Sequence, residues 1–135
     1  MEGDGHYERR RARVYVAGPI SSDPMTGVYR ATAVSRQMFL DGLAPFVPHW
    51  DVAWHLGPEH WNGYLEFDLE YVAVCDAVYR LRGESRGADK ECAVALTLGI
   101  PIFYQDLCET AETDYGYTEL LGYFAERSLT GVRKL

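Results

Sequence analysis

The sequence predicts one α/β domain in which helices cover both faces of a parallel sheet of four or five strands. Two observations support this class: β-rich runs alternate with helical segments, and 135 residues are enough for a single domain with a buried core. Strand–helix–strand connections are right-handed crossovers that place successive strands parallel. The expected architecture is therefore a three-layer sandwich with the sheet in the middle.

Four runs have the composition of strands. The first, 13–18, ends in Gly-Pro, and the second, 43–50, contains prolines that favour a sheet edge or a strand end. The third covers 76–82 and the fourth 99–104. The tail 129–135 is long enough for a short fifth strand.

Four helical segments connect or follow these strands. Apolar residues at helical spacing fill 27–42, where Gly42 is the stop signal, and a second helix is expected over 64–75. A third helix follows the glycine-containing loop at 85–87 and ends at Leu98, and a fourth covers 117–128. The aromatic residues in and just before this last segment are expected to form an exposed interface; they are Tyr115, Tyr117, Tyr123 and Phe124.

Composition and charge exclude several classes of protein. We assign 1–12 to a flexible basic leader and 13–135 to a single domain. The net charge of −7 argues against general binding of nucleic acid polymers, and no apolar run is long enough to predict a membrane span. Three cysteines without a C-x-x-C pair fit a reducing compartment. We therefore expect a cytoplasmic protein.

Two carboxylates fall on helix faces that should pack inward. The residues three and four positions from Glu91 are all small or apolar, and those around Asp68 are apolar or aromatic. Burial of a carboxylate is costly without partners. Structural explanations remain open: a charge at the helix start for Glu91, and a cap or ion pair for Asp68. Paired carboxylates at the carboxyl ends of parallel strands instead indicate chemistry at a sugar carbon.

The loop 49–63 is rich in aromatic residues and histidines. His49, Trp50 and Trp54 are candidates for a pocket in which a base stacks on aromatic rings. A hydrophobic lid packed on its own domain explains the composition equally well. The histidine spacing matches no common pair of metal ligands. We expect neither a metal site nor a cofactor.

Three short motifs together resemble the nucleoside 2-deoxyribosyltransferase superfamily, including the 2'-deoxynucleoside 5'-phosphate N-hydrolases. They are "VYVAGPI" from Val14, "DLEYVAVCDAV" from Asp68 and "SRGADKE", which ends at Glu91. The resemblance runs from about Val14 to Tyr104. It implies a flavodoxin-like, that is Rossmann-like, sandwich. It also implies a homodimer or larger oligomer in which a neighbouring subunit supplies part of each site.

The resemblance also implies a role for individual residues. Glu91 would attack the anomeric carbon, Asp68 would bind sugar hydroxyls or assist protonation of the base, and Tyr15 would orient Glu91. The expected substrate-binding residues are Gly18, Ile20, Ser21, Ser85 and Gly87, in addition to the three aromatic-loop residues. A loop that enters a helix also offers backbone N–H groups to an anion.

Three functions remain open from the sequence. The first is cleavage of the N-glycosidic bond of a (deoxy)nucleoside or its 5'-monophosphate through a covalent glycosyl–Glu intermediate, with release of the base to water. The second is base exchange by the same chemistry, and the third is non-catalytic nucleotide binding or sensing. Pro19 and Ser21 stand where the resembling phosphate hydrolases have Ser and Arg, so the need for a 5'-phosphate is open, with Arg82 or Arg86 as replacements.

Overall fold

The computed structural model describes residues 10–19, 24–48, 61–106 and 114–127. Strands and helices alternate through these ranges, as the sequence predicts. Their bounds are β1 Arg13–Ala17, α1 Pro24–Leu40, β2 Ala44–Phe46, α2 Trp61–Val72, β3 Ala77–Arg80, α3 Arg86–Thr97, β4 Ile102–Tyr104 and α4 Tyr115–Glu126.

The four strands form one parallel sheet in the order β2-β1-β3-β4. In the register, Tyr15 of β1 lies opposite Phe46 of β2 on one side and Val78 of β3 on the other. The chain moves from β1 to β2 and then back across β1 to β3, so β1 and β3 flank the point where the direction of winding reverses. The predicted α/β class and parallel sheet are confirmed. A fifth strand at 129–135 would lie outside the described residues.

Helices cover both faces of the sheet. Successive strand residues point to opposite faces, so alternate residues of β1 pack with different helices. Val14 and Val16 of β1 pack with α1 and α4, whereas Tyr15 and Ala17 pack with α2 and α3. Burial on both faces is typical of parallel sheets, and each fully buried aliphatic side chain contributes about 1.5–3 kcal/mol. The three-layer arrangement is therefore confirmed.

The prolines of the second strand mark an edge of the sheet, as expected. The N–H of Ala44 donates to the carbonyl of Ala12 at 2.8 Å. Because alternate residues of a strand face the same neighbour, the nitrogen of Pro45 faces away from β1, where no ladder hydrogen bond is lost. The strand is shorter than the predicted 43–50 and ends at Phe46.

All four helices begin earlier than predicted, and α3 begins at Arg86, within the predicted loop 85–87. α1 begins at Pro24 rather than 27, since proline at the first helical position loses no intrahelical hydrogen bond. α2 begins at Trp61 rather than 64. α4 begins at Tyr115 rather than 117, because Asp114 caps it by accepting from the N–H of Tyr117 at 3.1 Å.

The last residues of the assigned leader contact the domain. Arg10 makes a two-pronged ion pair with Asp76, at 2.7 and 2.9 Å, and this hydrogen bonding raises the pKa of Arg10. Arg11 donates to the carbonyls of Phe39 and Leu43, both at 2.9 Å. Residues 1–9 lie outside the described ranges, so the division into a leader and a domain stays a prediction.

Two of the four aromatic residues that we expected at an exposed interface are buried in their own domain. Tyr117 and Phe124 are buried in the core beneath α1 and α4, whereas Tyr115 is exposed. The prediction is wrong for the two buried residues because they pack on their own sheet.

Among the helices that the structure describes, none is both long and apolar enough to cross a bilayer.

Candidate active site

The centre of the candidate site is a hydrogen bond between β1 and α3. Tyr15, which is fully buried, donates its hydroxyl to Oε2 of Glu91, whose exposed fraction is 5%. Ala88 and Ala95 lie on the same face of α3, and their small side chains allow the helix to approach the sheet. The inward orientation predicted for Glu91 is confirmed.

Asp68 is the second buried carboxylate on this side of the sheet. It lies in the third turn of α2, with an exposed fraction of 6%, so its predicted inward orientation is also confirmed. α2 and α3 contact each other and cover the same face as Tyr15. The structure therefore brings all three expected catalytic residues, Tyr15, Asp68 and Glu91, into one layer.

Neither carboxylate is explained by the start of its helix. Glu91 lies in the second turn of α3, and the first turn already carries Asp89. The cap that the sequence left open for Asp68 is wrong, because α2 begins about two turns before this residue. The helix dipole acts mainly within the first turn, so it accounts for neither burial.

An aromatic stack extends from Tyr15 towards α2. The ring of Phe46 stacks on Tyr15 at a centroid distance of 5.4 Å and on Tyr71 at 4.2 Å, and Phe67 meets Tyr71 edge-on at 5.2 Å. This packing fixes the ring of Tyr15 and so the direction of its hydroxyl. Sequence reasoning missed Phe46, whose only signal is its place at the end of an edge strand.

The pKa of the Cys92 thiol, next to Glu91 in the sequence, is affected by the charges around it. Burial raises the pKa of Cys92, and the negative charges of Glu91 and Asp89 raise it further, whereas Arg80 opposes them. Arg80, at the end of β3, contacts this part of α3 through an ion pair with Asp89 at 3.1 Å. Sequence reasoning did not single out Arg80.

The start of α3 is shaped by its cap. The side chain of Ser85 accepts from the N–H of Ala88 at 3.1 Å, and it is the N-cap of the helix. A Cβ at Gly87 would meet only Ser85 Oγ, at 4.0 Å, so packing does not require glycine there. Whether Ser85 and Gly87 line a ligand stays a prediction.

The turn after β1 packs against the end of β3. A Cβ at Gly18 would lie 2.8 Å from the Cβ of Leu81, so this close approach alone requires glycine. The expected approach of Gly18 to a ligand stays a prediction.

Of the two arginines that could bind a phosphate, Arg86 is exposed, and Nε of Arg82 is buried with no hydrogen-bond partner among the residues described.

The remaining expected binding residues lie outside the described ranges; they are Ile20, Ser21, His49, Trp50 and Trp54. The choice between a base pocket and a lid at 49–63 therefore stays open. Within 10–19, 24–48, 61–106 and 114–127, no three His, Cys, Asp or Glu side chains are grouped so as to hold a metal ion. The expectation of a site without metal or cofactor remains a prediction.

Solved structures with the same fold include two deoxyribosyltransferases. The 2-deoxyribosyltransferase of the psychrotolerant bacterium Bacillus psychrosaccharolyticus is 18% identical, with a TM-score of 0.56 over 69% of this chain and 71% of that one. The enzyme of Leishmania mexicana is 21% identical, with a TM-score of 0.54 over 70% of this chain and 65% of that one. A conserved protein from Enterococcus faecalis V583 is 19% identical, with a TM-score of 0.51 over 92% and 87%. At these identities the likeness shows the fold, and it confirms the fold that the motifs implied.

The sequence comparisons identify the family. No curated protein matches the chain. A family model described as a domain of unknown function, DUF4406, matches residues 12–104, which include β1 to β4 together with Tyr15, Asp68 and Glu91. The chain therefore belongs to the DUF4406 family of domains.

Proposed function

We propose that the chain cleaves the N-glycosidic bond of a (deoxy)nucleoside or its 5'-monophosphate and releases the base to water. The observation that carries this proposal is the buried carboxylate of Glu91, held by the hydroxyl of Tyr15 in the layer that also contains Asp68. The fold shared with two deoxyribosyltransferases supports the same substrate class.

The proposed reaction has two steps. An oxygen of the Glu91 carboxylate bonds to the anomeric carbon while the C–N bond breaks, and the bonding electrons leave with the base, which takes up a proton. Water then attacks the anomeric carbon of the glycosyl ester and the ester C–O bond breaks, which releases the sugar and restores the carboxylate. The proton that the water loses balances the proton taken up by the base in the first step. The negative charge of Glu91 also offsets the positive charge that develops on the sugar ring.

The other residues have supporting roles in this proposal. Tyr15 orients the nucleophile, because its hydroxyl donates to one carboxylate oxygen and its ring is fixed by Phe46. Asp68 binds sugar hydroxyls or assists protonation of the leaving base. Ser85 and Gly87, at the start of α3, line the 5' end of the substrate, where a loop entering a helix presents backbone N–H groups.

A second candidate function is base exchange, in which another base replaces water in the second step. It is favoured by the fold shared with the enzymes of Bacillus psychrosaccharolyticus and Leishmania mexicana, both described as 2-deoxyribosyltransferases. The first step and the role of Glu91 are the same in both candidates. A domain that binds or senses nucleotides without cleaving them is the non-catalytic alternative.

The experiment is incubation of the purified protein with a panel of nucleosides and 5'-monophosphates, in deoxyribose and ribose forms, followed by chromatography for free base. The proposal predicts release of base from at least one member, and a matched preparation of Glu91→Gln controls for contaminating enzymes. Addition of a second base distinguishes exchange from hydrolysis. Binding without cleavage of any member would contradict the proposal and support a sensing domain.

We also propose a homodimer or larger oligomer in the cytoplasm, in keeping with the resemblance and with the thiol content. The described part of the chain contains two free cysteines, Cys75 and Cys92. Light scattering over a range of protein concentrations tests the assembly, and a monomeric mass at every concentration would contradict it.

A further inference from the structure

Arg80 lies on the same face of the sheet as Tyr15. In the register of β1 and β3, Tyr15 is opposite Val78 and Ala17 is opposite Arg80. Strand residues two apart point to the same face. Arg80 therefore lies on the strand next to that of Tyr15 and two residues nearer the carboxyl ends of the strands. Its side chain is 11% exposed, and it lies beneath the first turns of α3.

The guanidinium of Arg80 binds two backbone carbonyls and one carboxylate at this edge of the sheet. Nη1 of Arg80 donates to the carbonyl of Leu81, and Nη2 donates to the carbonyl of Gly83 at 3.0 Å and to Oδ1 of Asp89 at 3.1 Å. The first two acceptors belong to the turn after β3, and Asp89 belongs to the first turn of α3. The planar guanidinium, with its fixed fork of donors, therefore sets the distance and angle between the turn and the helix.

The turn that Arg80 holds has little freedom of its own. Gly83 has a φ of +116°, a left-handed conformation, and a Cβ there would lie 2.7 Å from Cγ of Pro19. The N–H of Arg82 donates to the side chain of Gln105 at 3.0 Å. Together with the Ser85 cap, these contacts fix where α3 begins, and Glu91 follows in its second turn.

The ion pair itself contributes little to stability. The side chain of Asp89 is 72% exposed, and an ion pair with so exposed a member is largely screened by solvent. The position that these contacts give to α3 matters more for the reaction rate, since a displacement of about 1 Å in a reacting group can lower a rate about 10²-fold. A clamp at the start of α3 therefore acts mainly on the direction of the Glu91 carboxylate.

We propose that Arg80 is a positioning residue, which holds the first turn of α3 so that the carboxylate of Glu91 is directed at the anomeric carbon. This inference rests on the proposed function, since it concerns the same site. In this proposal Arg80 acts through the turn and the start of α3.

The test compares Arg80→Gln and Arg80→Lys with Asp89→Asn, which removes only the ion pair. We expect Arg80→Gln to lower kcat by at least about tenfold with KM within about twofold, because the nucleophile is misdirected while binding survives. Arg80→Lys keeps the charge and some donors, so it should recover part of kcat. Asp89→Asn should stay within about twofold of the wild type, because the amide oxygen of asparagine can still accept from Nη2 of Arg80 and only the charge is lost.

A second measurement separates this inference from the proposed function. Amide hydrogen exchange, which needs no substrate, should accelerate at 81–85 and in the first turns of α3 in Arg80→Gln, but not in Asp89→Asn. If the wild type cleaves no substrate, the proposed function fails, while unchanged exchange in Arg80→Gln overturns the clamp itself. Wild-type kcat in Arg80→Gln would also overturn the inference. If Arg80→Gln does not fold, the same two measurements are made on Arg80→Lys. A wild-type kcat in Arg80→Lys, although its amide exchange at the start of α3 is accelerated, would contradict a role in positioning.

Discussion

Two buried tyrosines hold two buried carboxylates on opposite faces of the sheet. Tyr15 of β1 donates to Glu91 beneath α3, and Tyr79 of β3 donates to Asp114 beneath α4. Asp114 also accepts from the backbone N–H groups of Asp106, at 3.0 Å, and Tyr117, at 3.1 Å. Its carboxylate therefore completes the hydrogen bonding of a helix start and of the loop beside it.

Glu91 does not cap the start of a helix. It lies inside α3, beyond the first turn, where backbone N–H groups bond to the carbonyls four residues earlier. The comparison teaches that burial of a carboxylate does not by itself indicate function. What distinguishes the two pairs is whether the fold needs the carboxylate as a cap.

The face with Asp114 continues as a structural network. The hydroxyl of Tyr117 donates to Asp41 at 2.6 Å, and burial raises the pKa of both Tyr79 and Tyr117, with their hydrogen bonds to the two carboxylates adding to the effect. Gly116 lies so close to the carbonyl of Tyr104 that a Cβ would collide with it. These contacts dock α4 on the sheet.

The largest expected effect is that of Glu91→Gln on turnover. Glutamine keeps the volume and still accepts from Tyr15, but it cannot form the ester, so base release should fall by at least about 10³-fold. The melting temperature should change little. Glu119→Gln, at an exposed position of α4, is the matched control. Base release by Glu91→Gln at the wild-type rate would show that Glu91 is not the nucleophile.

The next effect is that of Asp68→Asn. The substitution keeps the shape and removes the charge, and turnover should fall by about 10²-fold, as for loss of a proton-transfer or transition-state contact. Steady-state kinetics measures this, and Glu70→Gln on the exposed side of α2 is the control. Unchanged turnover would leave Asp68 with a structural role only.

Asp114→Ala should have the opposite pattern, a loss of stability without a loss of turnover. Removal of the cap costs about 1 kcal/mol, and the buried hydroxyl of Tyr79 left without its acceptor costs about 1–3 kcal/mol more. Chemical denaturation measures the free energy of unfolding, with Glu119→Ala on the same helix as the control. A fall in kcat per folded molecule would break the distinction between the two pairs.

The smallest effect concerns alkaline stability. Burial raises the pKa of Cys75 from its ordinary 9.0 to about 12, and the charge of Asp76 adds to the effect. Above pH 9 the unfolded thiol loses its proton while the folded thiol keeps it, so stability falls as the pH rises from about 9 towards about 12. In Cys75→Ala, the fall in melting temperature between pH 8 and pH 10 should be smaller than in the wild type. An equal fall would show that this thiol does not contribute.

The sequence predicted what depends on local periodicity. The inward faces of Glu91 and Asp68 follow from their neighbours three and four positions away, and the edge position of β2 follows from its prolines. The α/β class follows from the alternation of elements in the same way.

The contacts that depend on strand order and register could not be predicted. Phe46 stacks on Tyr15 only because β2 and β1 are neighbours in that register, and Arg80 reaches Asp89 only because of the turn between them. In α4, aromatic residues occur around much of the helix, so periodicity did not show that Phe124 faces the core.

The most direct test of covalent catalysis is intact mass spectrometry of the protein quenched during turnover of a cleaved deoxynucleoside or deoxynucleotide. Covalent catalysis by Glu91 predicts a mass increase equal to the sugar moiety, located by digestion on the peptide that contains Glu91 and missing in Glu91→Gln. Rapid release of base by the wild type with no adduct at any quench time, together with undiminished release by Glu91→Gln, would contradict it.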